Sequence, residues 1–193
     1  MESPQKNRRY TYDDYCTWDD GRRWELIDGI PYIMFGDEDC LRSPAPAWTH
    51  QSASVELSRQ LANFLKGKPG KVFQAQFDVR LNADTLDDTV FQPDIVVILD
   101  TSILCKTGCA GVPDFVIEIL SPSTASRDKI LKFNAYLRAG VREYWIVDLD
   151  SKTVMVHLLE NSKYTTTAYG HEDVAPVHVL EGCEIILSEV FAV

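Results

Sequence analysis

The chain has 193 residues, 45% of them hydrophobic, and a formal net charge of −10. This length is enough for one well-filled core and too short for two. The acidic balance argues against holding duplex nucleic acid by general electrostatics, because such binding relies on many Lys and Arg contacts with phosphate. It leaves room for a nucleic-acid enzyme whose site holds a divalent cation, since the bound ion changes the local charge.

The sequence offers little evidence for a membrane span, a signal segment or a zinc-binding cysteine motif. No apolar run reaches the roughly 18 residues that a membrane span requires, and the start, MESPQKNRRY, has no apolar signal core. Cys105 and Cys109 lack the second half of a zinc motif. We therefore expect a soluble, cytoplasmic protein with reduced thiols. Residues 1–9 are expected to form a loose lead, followed by a single domain over residues 10–193.

The first elements along the chain are a short helix and a hairpin. Thr11 is a candidate N-cap for a helix that continues to Trp18. Two apolar segments flank Asp28 and Gly29, a pair typical of a hairpin turn. Residues 36–47 are rich in turn formers and predict a loop.

A longer helix and a strand follow. Apolar residues recur with helical spacing from about Thr49 to Leu65. Residues 71–81, KVFQAQFDVRL, alternate between apolar and polar side chains and predict one strand. Gln76 projects from the polar side of that strand. It is either a hydrogen-bonding group for a nearby site or a half-exposed polar residue.

The middle of the chain is a strand–helix–strand unit. DFVIEIL places Glu118 within an apolar run, and Ser121 and Ser123 then form a turn or a helix cap. EYWIVD is the second strand, with Tyr144 and Trp145 expected in the core. KTVMVHLLE, KYTTTAY and EIIL predict a C-terminal meander of strands.

Three acids interrupt separate apolar strands: Glu25, Asp94 and Glu118. Burying an ionised carboxylate costs several kcal/mol or more unless a cation, a metal or hydrogen bonds compensate it. Carboxylate oxygens are the ligands that Mg²⁺ prefers. The three acids therefore predict a cluster that shares a divalent cation, with a purely structural acid cluster as the alternative.

The helix after Glu118 offers a cation for this cluster. Asp128, Lys132 and Tyr136 follow one stripe of that helix, at positions i, i+4 and i+8. The apolar face is assigned to Ile130, Phe133 and Leu137. Lys132 lies on the border of that face, where a long side chain directs its ammonium into a cleft. Lys129 is nearer the helix start and is expected in solvent.

Several of these strings resemble a known family. Asp94 after a proline, a hydrophobic strand and then Glu118 are similar to the PD-(D/E)xK nuclease superfamily. YTYDDY, WELIDG, QPDIVVIL, VIEILSPST and GVREYWIVD more closely resemble the Uma-type family of restriction-endonuclease-like proteins. This likeness runs from about Tyr10 to Phe191, and the combination of SPST with GVREYWIVD is its most specific part.

The resemblance implies an α/β (α+β) fold, with a mixed central sheet flanked by helices and a C-terminal antiparallel meander. It implies that Asp94 and Glu118 bind Mg²⁺, for which Mn²⁺ can substitute. The superfamily pattern puts a lysine two residues after Glu118, where this chain has Leu120. The Uma-type pattern puts it on the next helix and matches Lys132.

Two more residues match the family. Glu25 matches its acid in ELIDG and is either adjacent to the metal or a satisfied carboxylate at a strand edge. His50 matches a histidine at the start of the first long helix and either lines the cleft or caps the helix. Tyr136 is a further supporting residue.

The function implied by the resemblance is a Mg²⁺-dependent endonuclease that hydrolyses phosphodiester bonds of DNA. Asp94 and Glu118 would hold the metal, and Lys132 would stabilise the charge that develops on the phosphate. The alternative is a non-catalytic nucleic-acid-binding or protein-binding member that keeps the fold, favoured by the acidic charge and Leu120. A homodimer is one arrangement for cutting two strands.

Overall fold

The computed structural model describes residues 4–5, 8–34, 47–121 and 128–192, with side chains in the last range from residue 130. Nearly all of the predicted loop over 36–47, Ser123 and the side chain of Lys129 lie outside this description. The helices are α1 (Tyr12–Tyr15), α2 (Trp48–Leu65), α3 (Phe133–Ala139) and α4 (Leu187–Val190). A π-helical turn, Asp128–Lys132, leads directly into α3.

Thirteen strands are found in the described ranges. They are β1 (Trp24–Ile27), β2 (Ile30–Ile33), β3 (Lys71–Gln74), β4 (Asp78–Arg80), β5 (Val90–Phe91), β6 (Ile95–Ile98), β7 (Gly108–Ala110), β8 (Phe115–Ile119), β9 (Glu143–Asp148), β10 (Thr153–Glu160), β11 (Lys163–Gly170), β12 (Val174–Val177) and β13 (Cys183–Ile186). They form sheets in the orders β11-β10-β9-β8-β6-β3, β2-β1-β5-β4-β7 and β12-β13.

The six-stranded sheet is mixed and is covered on both faces. β8 and β9 are parallel, while β6 and β8 are antiparallel. Ile117 and its same-face neighbours pack with the buried residues of α2. Val116 and its neighbours pack on the other face with Ala135 and Tyr136 of α3. The alternation along β8 thus gives each helix an apolar surface, and Glu118 falls on the α3 side.

The predicted single strand over residues 71–81 is wrong. β3 belongs to the six-stranded sheet and β4 to the five-stranded sheet. The chain leaves one sheet for the other around a cis peptide bond between Ala75 and Gln76. Gln76 is therefore exposed in a bend and does not project from a strand.

The predicted hairpin is present, and the two predicted helices before and after it are present with shifted bounds. Asp28 and Gly29 both have positive φ angles, 49° and 76°, which suit the tight turn between β1 and β2. Helix α2 starts one residue before the predicted Thr49. Helix α1 is shorter than predicted and ends at Tyr15.

The C-terminal strands are antiparallel, as predicted. β10 pairs with β9 and β11, and β12 pairs with β13. The short strands β5, β7 and β12 were not predicted. Leu187, expected to end a strand, instead begins α4. Tyr144 and Trp145 are fully buried, as predicted. In the ranges described, no helix is long and apolar enough to cross a membrane.

The predicted apolar face before and along α3 is partly wrong. Ile130 is 59% exposed, whereas Lys132 is 2% exposed. The buried positions are Lys132, Ala135 and Tyr136. The π-helical turn and α3 therefore direct Lys132 and Tyr136 toward the sheet. Both side chains are partners of the buried Glu118.

Candidate active site

Glu118 in β8 is compensated by two side chains one helical turn apart. Lys132 Nζ lies 2.8 Å from Glu118 Oε1. Tyr136 donates its hydroxyl proton to the same oxygen at 3.0 Å. Residues four apart share a helix face, so the π-helical turn and α3 deliver both donors to one carboxylate. These two contacts explain why Lys132 is buried, although the apolar pattern predicted Ile130 as the buried residue.

A second buried carboxylate completes the cluster. Glu25 Oε1, from β1 of the other sheet, lies 2.8 Å from Lys132 Nζ. The backbone N–H of Gln92 donates to the same Glu25 oxygen at 3.2 Å. Lys132 thus joins the two sheets electrostatically. Glu25 is thus a buried carboxylate with an ion-pair partner.

The cluster is nearly dry, with side-chain exposures of 3% for Lys132, 1% for Glu25 and 5% for Glu118. Charges inside a protein interact more strongly than charges in water. Removing either partner leaves an uncompensated buried charge. Lys132 and Tyr136 therefore compensate the burial of Glu118.

The low-polarity surroundings also act on Tyr136. Burial raises the pKa of the Tyr136 phenol well above its usual value, and the nearby negative charge of Glu118 raises it further. The phenol consequently keeps its proton at neutral pH. It acts as a hydrogen-bond donor that fixes the Glu118 carboxylate.

Asp94 lies at the entrance of β6, one step beyond the last paired positions of β6 and β8. Ile95 faces Ile117, so the next positions outward are Asp94 and Glu118. Residues that face each other on antiparallel strands share one side of the sheet, with Cβ atoms about 5 Å apart. Asp94 Oδ2 also accepts a hydrogen bond from Ile119 N at 2.8 Å.

His50, in the first turn of α2, reaches this strand end from the opposite helix. Its Nε2 lies 3.0 Å from the carbonyl oxygen of Ile119 and 3.4 Å from Asp94 Oδ2. A carbonyl oxygen only accepts, so Nε2 carries a proton and donates it. His50 therefore lies beside Asp94 rather than capping the helix.

A cleft opens where Asp94 and His50 meet, with a volume of about 270 Å³. The lining includes Arg23, His50, Ser54, Gln74, Gln92 and Asp94. The Asp94 side chain is 20% exposed, in contrast to the buried cluster behind it. Gln92 and Asp94 connect the cleft to the buried cluster. The backbone of Gln92 bonds to Glu25, and Asp94 bonds to Ile119, the residue after Glu118.

The donor chemistry suits a hard divalent cation. Asp94, Glu118 and Glu25 with Lys132 give three carboxylates and one ammonium, a formal charge of minus two. Mg²⁺ is commonly held by one or two carboxylates, with water and substrate phosphate completing its shell. Among the described residues, no group of three or more His, Cys, Asp or Glu side chains is arranged to hold a metal. Asp94 and Glu118, on facing positions of β6 and β8, would be the two carboxylates of such a site.

Sequence reasoning missed Arg23, Gln74 and Gln92, which all line the cleft. Gln92 contacts Glu25 through its backbone and Arg23 through its side chain. Gln74, rather than Gln76, lines the cleft and donates to Ser54 Oγ at 3.1 Å. A signal was available for Gln92, because it stands two residues before Asp94 in the string QPD.

The mixed six-stranded sheet thus lies between α2 and α3, with Glu118 and Lys132 at one end of β8. The family described as "Uma2: Putative restriction endonuclease" matches residues 11–188. The chain belongs to this family.

One structural and one sequence relative extend this result. A solved structure described as a putative nuclease belonging to DUF820, from Anabaena variabilis, superposes with a TM-score of 0.73 and 20% identity. The match covers 95% of this chain and 98% of that one, and it shows the shared fold. The uncharacterized protein slr1290 of Synechocystis is 29% identical over 126 residues, or 64% of this chain. The match spans 60% of that relative's length.

Proposed function

We propose that the protein is a Mg²⁺-dependent endonuclease that hydrolyses phosphodiester bonds of DNA. The observation that carries this proposal is Lys132, buried between Glu25 and Glu118, together with the strand register that sets Glu118 opposite Asp94. A buried cation held by two carboxylates is costly to assemble. Its partner Glu118 lies opposite a third carboxylate, Asp94, and this arrangement suits phosphate chemistry better than structural support alone.

Asp94 and Glu118 would hold the metal. A bound Mg²⁺, or Mn²⁺ in its place, supplies a more acidic water and neutralises phosphate charge. Hydrolysis forms a bond from a water oxygen to phosphorus and breaks the bond from phosphorus to the leaving sugar oxygen. Lys132, fixed in a low-polarity site, would offset the negative charge that develops on the phosphate.

The remaining residues orient these groups. Tyr136 holds one Glu118 oxygen, and Glu25 holds the Lys132 ammonium. Glu118 and Lys132 are therefore held in position before substrate binds. His50 ties α2 to Ile119, which keeps the Asp94 side of the cleft at a fixed distance from β8. Such preorganisation lowers the cost of reaching the transition state.

A nuclease assay tests the proposal. Single-stranded, duplex and branched DNA are incubated with the protein in Mg²⁺, in Mn²⁺ and in EDTA. We expect metal-dependent cleavage that is lost in Lys132→Ala and in Asp94→Asn. The matched control is Lys163→Ala, since Lys163 is an exposed lysine on β11. Cleavage that persists in both site variants would contradict the assignment.

The alternative is a non-catalytic member of the family that binds nucleic acid or protein. One observation favours it: Glu118 Oε1 already accepts from both Lys132 and Tyr136. This alternative predicts no cleavage of any substrate. An unchanged melting temperature in divalent metal would instead indicate a purely structural acid cluster. Binding of DNA without cleavage would support the non-catalytic alternative.

Two further proposals concern the setting of the protein. Cys16, Cys105, Cys109 and Cys183 are free thiols, which suits a reducing compartment such as the cytoplasm. A homodimer would use β11, which ends the six-stranded sheet and pairs with β10 alone among the described strands.

A further inference from the structure

We propose that Arg23 binds a phosphate of the nucleic-acid substrate in the cleft, and that Gln92 positions it. The inference rests on the proposed function and deepens it. Arg23 immediately precedes β1 and forms part of the cleft wall together with Asp94 and His50. A cation so placed would hold the sugar–phosphate backbone beside the carboxylates.

The side chain of Arg23 is fixed by Gln92. Arg23 Nε and Nη2 donate to Gln92 Oε1 at 3.2 and 2.7 Å. Gln92 Nε2 donates to Asp78 Oδ1 at 2.8 Å and to the Tyr15 hydroxyl at 3.1 Å. A guanidinium only donates and a carboxylate only accepts, so the amide has one consistent orientation. Gln92 therefore holds the guanidinium plane in place before any ligand arrives.

The acidic net charge of the protein makes the position of Arg23 in the cleft important. The chain carries a net charge of −10, and such a surface repels a polyanion. Among the described residues that line the cleft, Arg23 is the one Arg or Lys. Arginine is suited to phosphate because its planar fork of N–H groups matches two phosphate oxygens. Arg23 thus gives the cleft a strong phosphate-binding group, although the net charge of the protein repels a polyanion.

Gln92 also links this group to the buried cluster. Its backbone N–H donates to Glu25 Oε1, which pairs with Lys132. Pro93 and Asp94 follow it directly in the chain. One short segment therefore fixes the distance between the phosphate held by Arg23 and the bond to be cut near Asp94. Arg23 would set which phosphate enters the site.

The cleft has the size of a small ligand pocket. Its volume of about 270 Å³ lies just below the roughly 300–1,000 Å³ that ligand pockets span. Neutral side chains such as Ser54 and Gln74 supply hydrogen-bonding groups around Arg23. Contacts of this kind position a backbone without reading sequence.

Binding measured against salt concentration tests the inference. A fluorescein-labelled single-stranded oligonucleotide is titrated with the full chain in Ca²⁺, and its anisotropy is followed at several NaCl concentrations. We expect Arg23→Gln to raise Kd about tenfold or more, since charged hydrogen bonds contribute about 1.5–3 kcal/mol. The slope of log K against log salt should fall by about 0.7, the loss of one phosphate contact. Arg23→Lys should restore the slope.

The matched control is Arg142→Gln, with the same change of charge. Arg142 pairs with Asp114 at the opposite end of β8 from Glu118, and its variant should keep the wild-type slope. Circular dichroism confirms that each variant is folded. An Arg23→Gln protein with the wild-type Kd and slope, in a preparation whose wild type cuts DNA, overturns the role of Arg23 alone. A wild type that neither binds nor cuts any DNA overturns both proposals.

Discussion

Two glutamates lie buried at opposite ends of the same parallel strand pair and have different partners. Glu118 in β8 faces a lysine and a tyrosine. Glu143 in β9 is fully buried and accepts from Trp145 Nε1 and from Val179 N, both at 2.8 Å. Burial raises the pKa of Glu143, and the two hydrogen bonds oppose part of that rise.

The difference shows that burial alone does not mark a functional acid. Glu143 has only neutral hydrogen-bond donors within the described structure and ties the C-terminal segment at Val179 to the sheet. Glu118 has a cation and a second carboxylate beyond that cation, and it lies opposite Asp94, which lines an open cleft. What separates the two is the partner set, so the predictions concern what happens when partners are removed.

The largest effect is expected for Lys132→Met. This variant keeps most of the side-chain volume and leaves Glu25 and Glu118 buried without a cation. Breaking one side of a buried ion pair costs about 3–5 kcal/mol. Urea unfolding at pH 7 measures the loss, and Lys163→Met should stay within about 0.5 kcal/mol of wild type. A loss below about 1 kcal/mol would mean that Lys132 does not compensate the two acids.

Glu143→Gln should separate stability from activity. The amide offers one oxygen where the carboxylate offered two, so Trp145 or Val179 faces a donor in place of an acceptor. The unsatisfied group costs about 1–3 kcal/mol. Cleavage of DNA should continue at the wild-type rate, whereas Glu118→Gln should abolish it. The comparison fails if Glu143→Gln is folded and inactive.

The pH dependence of stability should also distinguish Glu143. Its pKa in the folded protein is raised above the ordinary value of 4.5, so the native state holds its proton after the unfolded chain has lost it. The stability contributed by the protonated group is present below pH 4.5 and declines as pH rises through the raised pKa. Urea unfolding from pH 4 upward should show this decline in wild type. Its absence from Glu143→Gln would confirm the source.

The smallest effect is expected for His50→Leu. Loss of the hydrogen bond from His50 Nε2 to Ile119 O should cost about 0.5–1.5 kcal/mol. His50→Gln retains an N–H donor and should recover part of that loss in the same urea assay. Equal stability of the two variants would show that the hydrogen bond does not hold α2 to β8.

Local pattern was enough to find the acids and the lysine. Glu25, Asp94 and Glu118 stand out because each is a charge in an apolar strand, and Lys132 because its helix follows directly. The burial of Lys132 could not be read from the same pattern, since apolar spacing favoured Ile130. Its position is decided by carboxylates on two other strands, which no local window contains.

The other misses have the same cause. Gln92 and Arg23 are 69 positions apart in the chain, and their contact depends on how the two sheets meet. The alternation in residues 71–81 is regular, but it continues across a change of sheet that only tertiary pairing reveals. Gln76 was placed wrongly for that reason, and Gln74 took its place at the cleft.

The central claim, that Asp94 and Glu118 hold a divalent cation, has a direct test. Mg²⁺ and Mn²⁺ are titrated calorimetrically into wild type, Asp94→Asn, Glu118→Ala and, as the buried-acid control, Glu143→Gln. We expect binding by wild type and by Glu143→Gln, and an affinity at least about tenfold weaker in the other two variants. Removing even an outer contact of a metal site weakens binding by about 10–100-fold. Equal binding by all four proteins, or by none, would contradict the central claim.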